Sequence, residues 1–463
     1  MKPLILGLFQ TVTPNGTSGN SWRHPDNTTV NYRSLTYWTS LAQRAEAAKL
    51  DFIFLADSFG YPSLNGAVPQ AAIEDADLSR SDPLVLVSAL ASATERIGLV
   101  LTSATTYDLP YSNARRFATL DHFSNGRVGW NIVTGSSADT ASALFGLDLT
   151  KHSDRYAVAD DYVDLSLTLW EGAWQDGAVK ADKEARVYAD ASMVHPVEYD
   201  GPYFSCHGMF TVEPTPQRTP VLFQAGTSDR GKEFAARNAE CVFLQGTTAP
   251  AVAANVKDIR DRAEAAGRDR DSIKILVGVT LLTDPDPDQA RLKAAELAEY
   301  SSDVAGAVRF AFNTGINLLD LDPDSTLEGM TSEVGQSNID RYQATQDRPA
   351  ATVREILAEF RTRGLRGLIL AGTPDEVVNQ MTEYVAETGI DGFMIESHLS
   401  PGTHNDIFEH LLPRLRERGL FREEYEEETL RERLFGLGQR HLRDDHRGAS
   451  FRAGQKTPVF TAP

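Results

Sequence analysis

Short apolar runs rich in β-branched and aromatic residues recur along the chain, each followed by a longer segment whose apolar positions return at helical spacing. There are eight such runs: Leu4–Phe9, Phe52–Asp57, Ile97–Ala104, Val128–Thr134, Pro220–Gly226, Cys241–Gly246, Ile273–Thr280 and Gly392–Ser397. Strand followed by helix, repeated, predicts parallel βα units. Runs such as IGLVLTSA and PVLFQAG are nearly continuously apolar, as strands covered on both faces are. A closed α/β barrel of the TIM-like (β/α)8 type explains this best, with a doubly wound open sheet as the alternative. In the intervening helices, positions such as Val158, Tyr162, Leu165 and Leu169 keep one apolar stripe toward the barrel.

Two connections are longer than a βα loop needs, at about 170–219 and about 285–388. They are read as insertions into a single barrel domain spanning residues 1–419, followed by a C-terminal extension, 420–463, expected to form an arm. Part of the second insertion, around FAFNTGINLLDLDPDSTLEGM, is expected to act as a lid, because insertions at this end of a barrel lie over the active site.

Charge removes several function classes. The 463 residues hold 65 Asp and Glu against 45 Lys and Arg, a formal net charge of -20, and no basic run tracks a phosphate backbone or an anionic surface. Neither nucleic acid nor a membrane is an expected partner. The acidic stretch EEYEEE around Tyr425 is read as a solvated helix face. No apolar stretch approaches the roughly 20 residues of a bilayer crossing, and the two cysteines, Cys206 and Cys241, show no CxxC spacing. The expectation is a cytoplasmic protein in a reducing compartment.

Several chemical motifs fail. The ten histidines form no HExxH or other i, i+4 pair, so no metal site is expected. GxSxG and GxGxxG are missing. GTSDRGKE, from Gly226, matches a P-loop except that Glu233 stands where magnesium needs Ser or Thr. That turn nevertheless leaves a strand and opens a helix, so its free N–H groups suit a phosphate; an ordinary cap by Thr227 or Ser228 is the alternative. A second cluster lies at strand ends: Asp57, Thr102, Ser103, Asn131 and Thr134 all reach one mouth if the strands are successive. A buried amide such as Asn131 suits the donor and acceptor edge of a flavin ring, or else a neighbouring strand. The third is HSDRY, where Arg155 or Tyr156 reaches toward a phosphate, or Ser153 and Asp154 cap a helix.

Together these segments resemble the bacterial-luciferase-like flavin monooxygenases, in the group of nitrilotriacetate, dibenzothiophene-sulfone and long-chain alkane monooxygenases. The resemblance is carried nearly end to end by WRHPDN, FIFLADSFG, TTYDLPYSNARRFATLDHFSNGRVGWNIVTG, HSDRYAVADDYV, PQRTPVLFQAGTSDRGKEFAARNAECVF, GTPDEV, GIDGF and GLFREEYEEETLRERLFG. It implies an FMN site: Ala56, Asp57, Thr102, Asn131 and Val133 along the ring and ribityl chain, and Tyr156 with Gly226, Thr227 and Ser228 at the phosphate. Ser136 and Ser137 are added as polar contacts to substrate or phosphate, Phe9, Trp22, Phe59 and Tyr61 as a largely apolar substrate pocket, and His24 and His152 as candidate catalytic side chains. The implied reaction is two-component. A separate NAD(P)H:FMN oxidoreductase delivers FMNH2, O2 adds to give a C4a-(hydro)peroxyflavin, and one oxygen passes to a small organic substrate. Relatives of this kind are homodimers or homotetramers. The chain departs from the alkane enzyme's pattern: Thr13 replaces a cysteine, and GSSAD from Gly135 a histidine, so alkane hydroxylation is not implied. The alternatives are an F420-dependent oxidoreductase of the same barrel, a hydrolase using carboxylates such as Asp57 and Glu396, and a non-catalytic or light-emitting flavin-binding relative.

Overall fold

Eight parallel strands close on themselves in a computed structural model that describes residues 2–453, except 18, 19, 136, 137, 149–151, 227, 246, 247, 297, 298, 301, 333, 334, 345–348 and 364–366. In chain order they are β1 (Ile5–Thr11), β2 (Phe52–Ala56), β3 (Gly98–Ala104), β4 (Val128–Val133), β5 (Val221–Gln224), β6 (Cys241–Leu244), β7 (Lys274–Thr283) and β8 (Gly392–Glu396). Each pairs with the next, and β8 returns to β1 through Ile5↔Gly392 and Phe9↔Glu396. The open-sheet alternative is thereby set aside, and every expected run is a barrel strand.

Period-two alternation sorts the side chains. Ile5, Phe9, Phe52, Phe54, Val100, Val221, Phe223, Cys241, Phe243, Leu276 and Met394 fill the inside of the cylinder, while residues such as Leu6, Leu8, Leu99 and Trp130 face the helical ring. Inside, Phe9, Phe54 and Phe243 meet ring to ring at 5.4–6.1 Å. The blocks GTPDEV and GIDGF are the two ends of the last barrel helix, Pro374–Thr388. Thr373 and Glu376 form a reciprocal capping box, and Gly389 closes the helix at φ 72, where a β-carbon is disfavoured.

The long connections carry their own structure. Within the first, two antiparallel hairpins, Val179–Asp182 with Val187–Ala189 and Val197–Asp200 with Ser205–Gly208, follow the helix His152–Leu167. The second builds a separate small core from Ala307, Phe310, Leu318, Ile339, Ile356 and Phe360, which gives FAFNT a helical place in Asp303–Thr314. A strand that the sequence pattern did not signal, Ile369–Gly372, pairs with the C-terminal half of β7, from Thr280↔Ile369 to Thr283↔Gly372. Ile369, Ala371 and Gly372 are half-buried there, so the run lacks the continuous apolarity of the barrel strands.

Of the extension expected to be an arm, residues 454–463 lie outside the described residues, and 420–453 pack under this chain's own barrel. Leu430 and Leu434 join the interior cluster from the N-terminal end of the cylinder. Arg431, fully buried between them, donates to both oxygens of Glu240 at 2.8 and 3.0 Å and to the carbonyls of Gln217, Thr219 and Pro220. The EEYEEE stretch is not a solvated helix face. Tyr425 turns inward, donates to Leu50 O at 2.5 Å, and is approached by the cations of Lys49, Arg96, Arg422 and Arg433. Glu427 pairs with Arg422, and Glu423, Glu424, Glu426 and Glu428 remain exposed. An aromatic ring set among cations outweighs the acidity of its neighbours in sequence. No described helix is long and apolar enough to cross a membrane.

Candidate active site

The C-terminal ends of the strands form the mouth, where barrel enzymes place their chemistry. The inward alternation that puts Val100 in the core puts Thr102 one step nearer this mouth. Its register partner Asn131 donates from Nδ2 to Thr102 Oγ1 at 2.9 Å. Asn131 is 4% exposed, and its Oδ1 has no hydrogen-bond partner. A buried acceptor left open costs about 1–3 kcal/mol, which a donor supplied from outside the chain would recover. Ala56 closes β2 against the same aromatic floor and Val133 closes β4, half-buried. Phe9 lies within that floor, beneath the polar pair, rather than along a side wall.

Asp57 follows β2 and sits 3.8 Å from Arg80, which also donates to Ser58 O. Burial pushes its carboxyl up to about 6, against the pull of Arg80. Arg80 in turn lies over Phe312 of the helix Asp303–Thr314, so the second insertion leans on the loop after β2.

A second polar locus lies beyond β5. Ser228 caps the helix Asp229–Asn238, its Oγ accepting from Gly231 N at 3.1 Å, and the buried Tyr156 hydroxyl bonds Ser228. Burial holds that phenol above its ordinary range. A β-carbon at Gly226 would fall 2.4 Å from Gln224 Nε2 and 3.1 Å from Tyr156 Oη, and one at Gly231 2.8 Å from the same hydroxyl. A side chain at either glycine would have to displace Gln224 or Tyr156. Helix N–H groups, two hydroxyls and a glycine turn form a cradle suited to a phosphate. Arg155, also buried, donates to Gly135 O at 2.9 Å, just past β4. Ser136, Ser137 and Thr227 lie outside the described residues, as does the side chain of His152, which opens the helix His152–Leu167.

Around the rim, Phe59 stands edge-on to Tyr107 and Phe145 at 5.6 and 5.1 Å, and those two stack at 4.8 Å. Tyr61 is tied through its backbone to Thr140 Oγ1. Trp22 is half-buried in the short turn Ser21–Arg23, with Nε1 unpartnered. His24 accepts the Asp26 N–H at Nδ1, which leaves its proton on Nε2, 2.8 Å from Glu296 of the second insertion. Sequence reasoning did not find Tyr107, Phe145 or Arg80. They come from separate connections, after β3, β4 and β2, and Tyr107 sits unremarked inside the TTYDLPYSN block, so only the closed barrel brings them together. Among the described residues, no group of three or more His, Cys, Asp or Glu is placed to hold a metal ion.

Residues 12–392 match the family model described as luciferase-like monooxygenase. The chain is 37% identical over 453 residues to the dimethyl-sulfide monooxygenase of Hyphomicrobium sulfonivorans, covering 97% of this chain and 94% of that protein. It is 39% identical over 454 residues to the long-chain alkane monooxygenase of Geobacillus thermodenitrificans, covering 97% and 98%. Among solved structures, a riboflavin lyase with modified FMN and substrate riboflavin superposes with a TM-score of 0.93 at 41% identity, over 98% of this chain and 100% of that one. With the barrel, the mouth and these likenesses in agreement, the chain belongs to the luciferase-like monooxygenase family.

Proposed function

We propose that this chain is the oxygenating component of a two-component monooxygenase, using FMNH2 from a separate NAD(P)H:FMN oxidoreductase and O2 to oxygenate a small organic substrate. The observation that carries the reading is a pair of polar loci on neighbouring strands, the unpartnered Asn131 Oδ1 on β4 and the Tyr156–Ser228–Gly226 cradle just beyond β5. A flavin ring N–H suits the first and the FMN phosphate the second. Reduced FMN, when bound, supplies the electrons that activate O2.

The chain's own residues hold and shield that group. Thr102 fixes the Asn131 amide so that Oδ1 is the free edge. Ala56, Val133 and the Phe9–Phe54–Phe243 floor give the ring an apolar bed and keep water from below. Phe59, Tyr107 and Phe145 form the aromatic wall against which the substrate lies. A reductase on another chain agrees with the missing dinucleotide fingerprint, and with a relative named component A of nitrilotriacetate monooxygenase. Cytoplasmic residence and a homodimer or homotetramer belong to the same proposal.

The test is a titration of the apo protein with FMN, riboflavin and F420, then turnover with a flavin reductase, scored by oxygenated product. Dimethyl sulfide and riboflavin, named for two relatives, are the first substrates to try. The proposal expects FMN to bind at least tenfold more tightly than riboflavin, and product only with reductase and FMN. Preference for F420, or no preference for the phosphorylated flavin, would overturn it.

A further inference from the structure

One face of the helix His152–Leu167 carries Tyr156, Asp160 and Asp164 at successive i, i+4 positions, and all three engage elements outside that helix. The Tyr156 hydroxyl bonds Ser228, and its ring lies 5.7 Å from that of Phe234. Asp160 accepts from Arg230 Nη2 at 2.7 Å and from Asn238 Nδ2 at 3.3 Å. Asp164 accepts from Arg447 Nη2, while Arg447 Nε donates to Asn238 Oδ1 at 2.7 Å. Arg447 is therefore a bridge between the helix that bears Tyr156 and the helix that Ser228 caps. It belongs to neither, since it comes from the C-terminal extension.

The neighbouring residues hold that bridge in place. His446 Nδ1 accepts the Gly448 N–H at 3.0 Å, so its Nε2 donates to Asn238 O at 2.9 Å. Arg268 caps the same helix end through Ala236 O and Ala239 O at 2.9 and 2.8 Å. A planar guanidinium with two N–H groups of one edge committed fixes the distance and angle between its partners more closely than a single ammonium does.

We propose that Arg447 is a positioning residue for the phosphate cradle, setting the separation of Tyr156 Oη from Ser228 through the Asp164–Arg447–Asn238 bridge. The inference rests on the reading of that cradle as the FMN phosphate site. Loosening the bridge lets the two helices drift at their far ends, and the cradle loses its fit to a phosphate while the ring pocket at Asn131 is untouched.

The test uses the full chain. Binding of FMN and of riboflavin is measured on the apo wild type and on Arg447→Gln, Arg447→Lys and Asp164→Asn, with far-ultraviolet circular dichroism to confirm folding. The expected result is at least a fivefold loss of FMN preference over riboflavin in Arg447→Gln and Asp164→Asn, riboflavin affinity within twofold of wild type, and partial recovery in Arg447→Lys. Equal weakening of both flavins would make Arg447 merely structural and overturn the proposal, as would an unchanged preference. If Arg447→Gln does not fold, Asp164→Asn decides, because it keeps the Arg447–Asn238 bond. A wild type with no FMN preference would instead remove the phosphate site itself.

Discussion

Asn131 donates to Thr102 across β4 and β3 and, though buried, leaves its other amide atom, Oδ1, without a hydrogen-bond partner. Both residues face into the cylinder, so the open edge meets whatever occupies the mouth. On the proposed reading, Asn131→Leu weakens FMN at least tenfold. Because the substitution also removes an unsatisfied acceptor, apo stability changes by no more than about 1 kcal/mol. Flavin fluorescence titration and urea unfolding check the two halves. Wild-type affinity in the variant would dissociate Asn131 from the ring.

Asp57 gives a pH-dependent outcome. Burial raises its carboxyl to about 6, so the folded state prefers the protonated form, and its ionisation costs stability as pH rises from about 4 through 6. Asp57→Asn therefore has a higher Tm than wild type at pH 8, and the difference closes as pH is lowered and is gone near pH 4. Calorimetry across that range is the measurement, and a constant offset would contradict it.

The buried histidines act in the opposite direction. Burial lowers His446 to about 3, His404 to about 3 and His398 to about 4, so each contributes stability above about 6.5 that is lost progressively as pH falls toward those values. Gln at position 446 can donate and accept where the neutral imidazole does. Between pH 6 and 4, His446→Gln should lose stability less steeply than wild type by one proton, about 1.4 kcal/mol per pH unit. Urea midpoints read at several pH values test this, and parallel slopes would refute it.

Arg431 and Glu240 should show strong non-additivity. Arg431→Met strands a carboxylate that is itself buried and is expected to cost about 3–5 kcal/mol. Arg431→Met combined with Glu240→Leu should recover more than half of that loss, measured by chemical denaturation.

Much of the scaffold was legible because strands buried on both faces must be apolar at every position, and all eight runs from Leu4–Phe9 to Gly392–Ser397 are barrel strands. Ile369–Gly372 escaped because only one of its residues is buried. The strand-to-helix turn at Gly226 was legible since strand, glycine and helix start are local, whereas the aromatic rim of Phe59, Tyr107 and Phe145 depends on three separate connections meeting in space. Tyr425 was misjudged for a related reason: the acidic letters beside it say nothing of the four cations that tertiary packing brings to its ring.

The seal provided by Leu430 and Leu434 imposes an order on biosynthesis. All eight strands are synthesised before the side chains that stopper the base of the cylinder. A released chain that stops short of Leu430 would hold a cylinder open at that end, with Phe52 and Val221 uncovered to solvent.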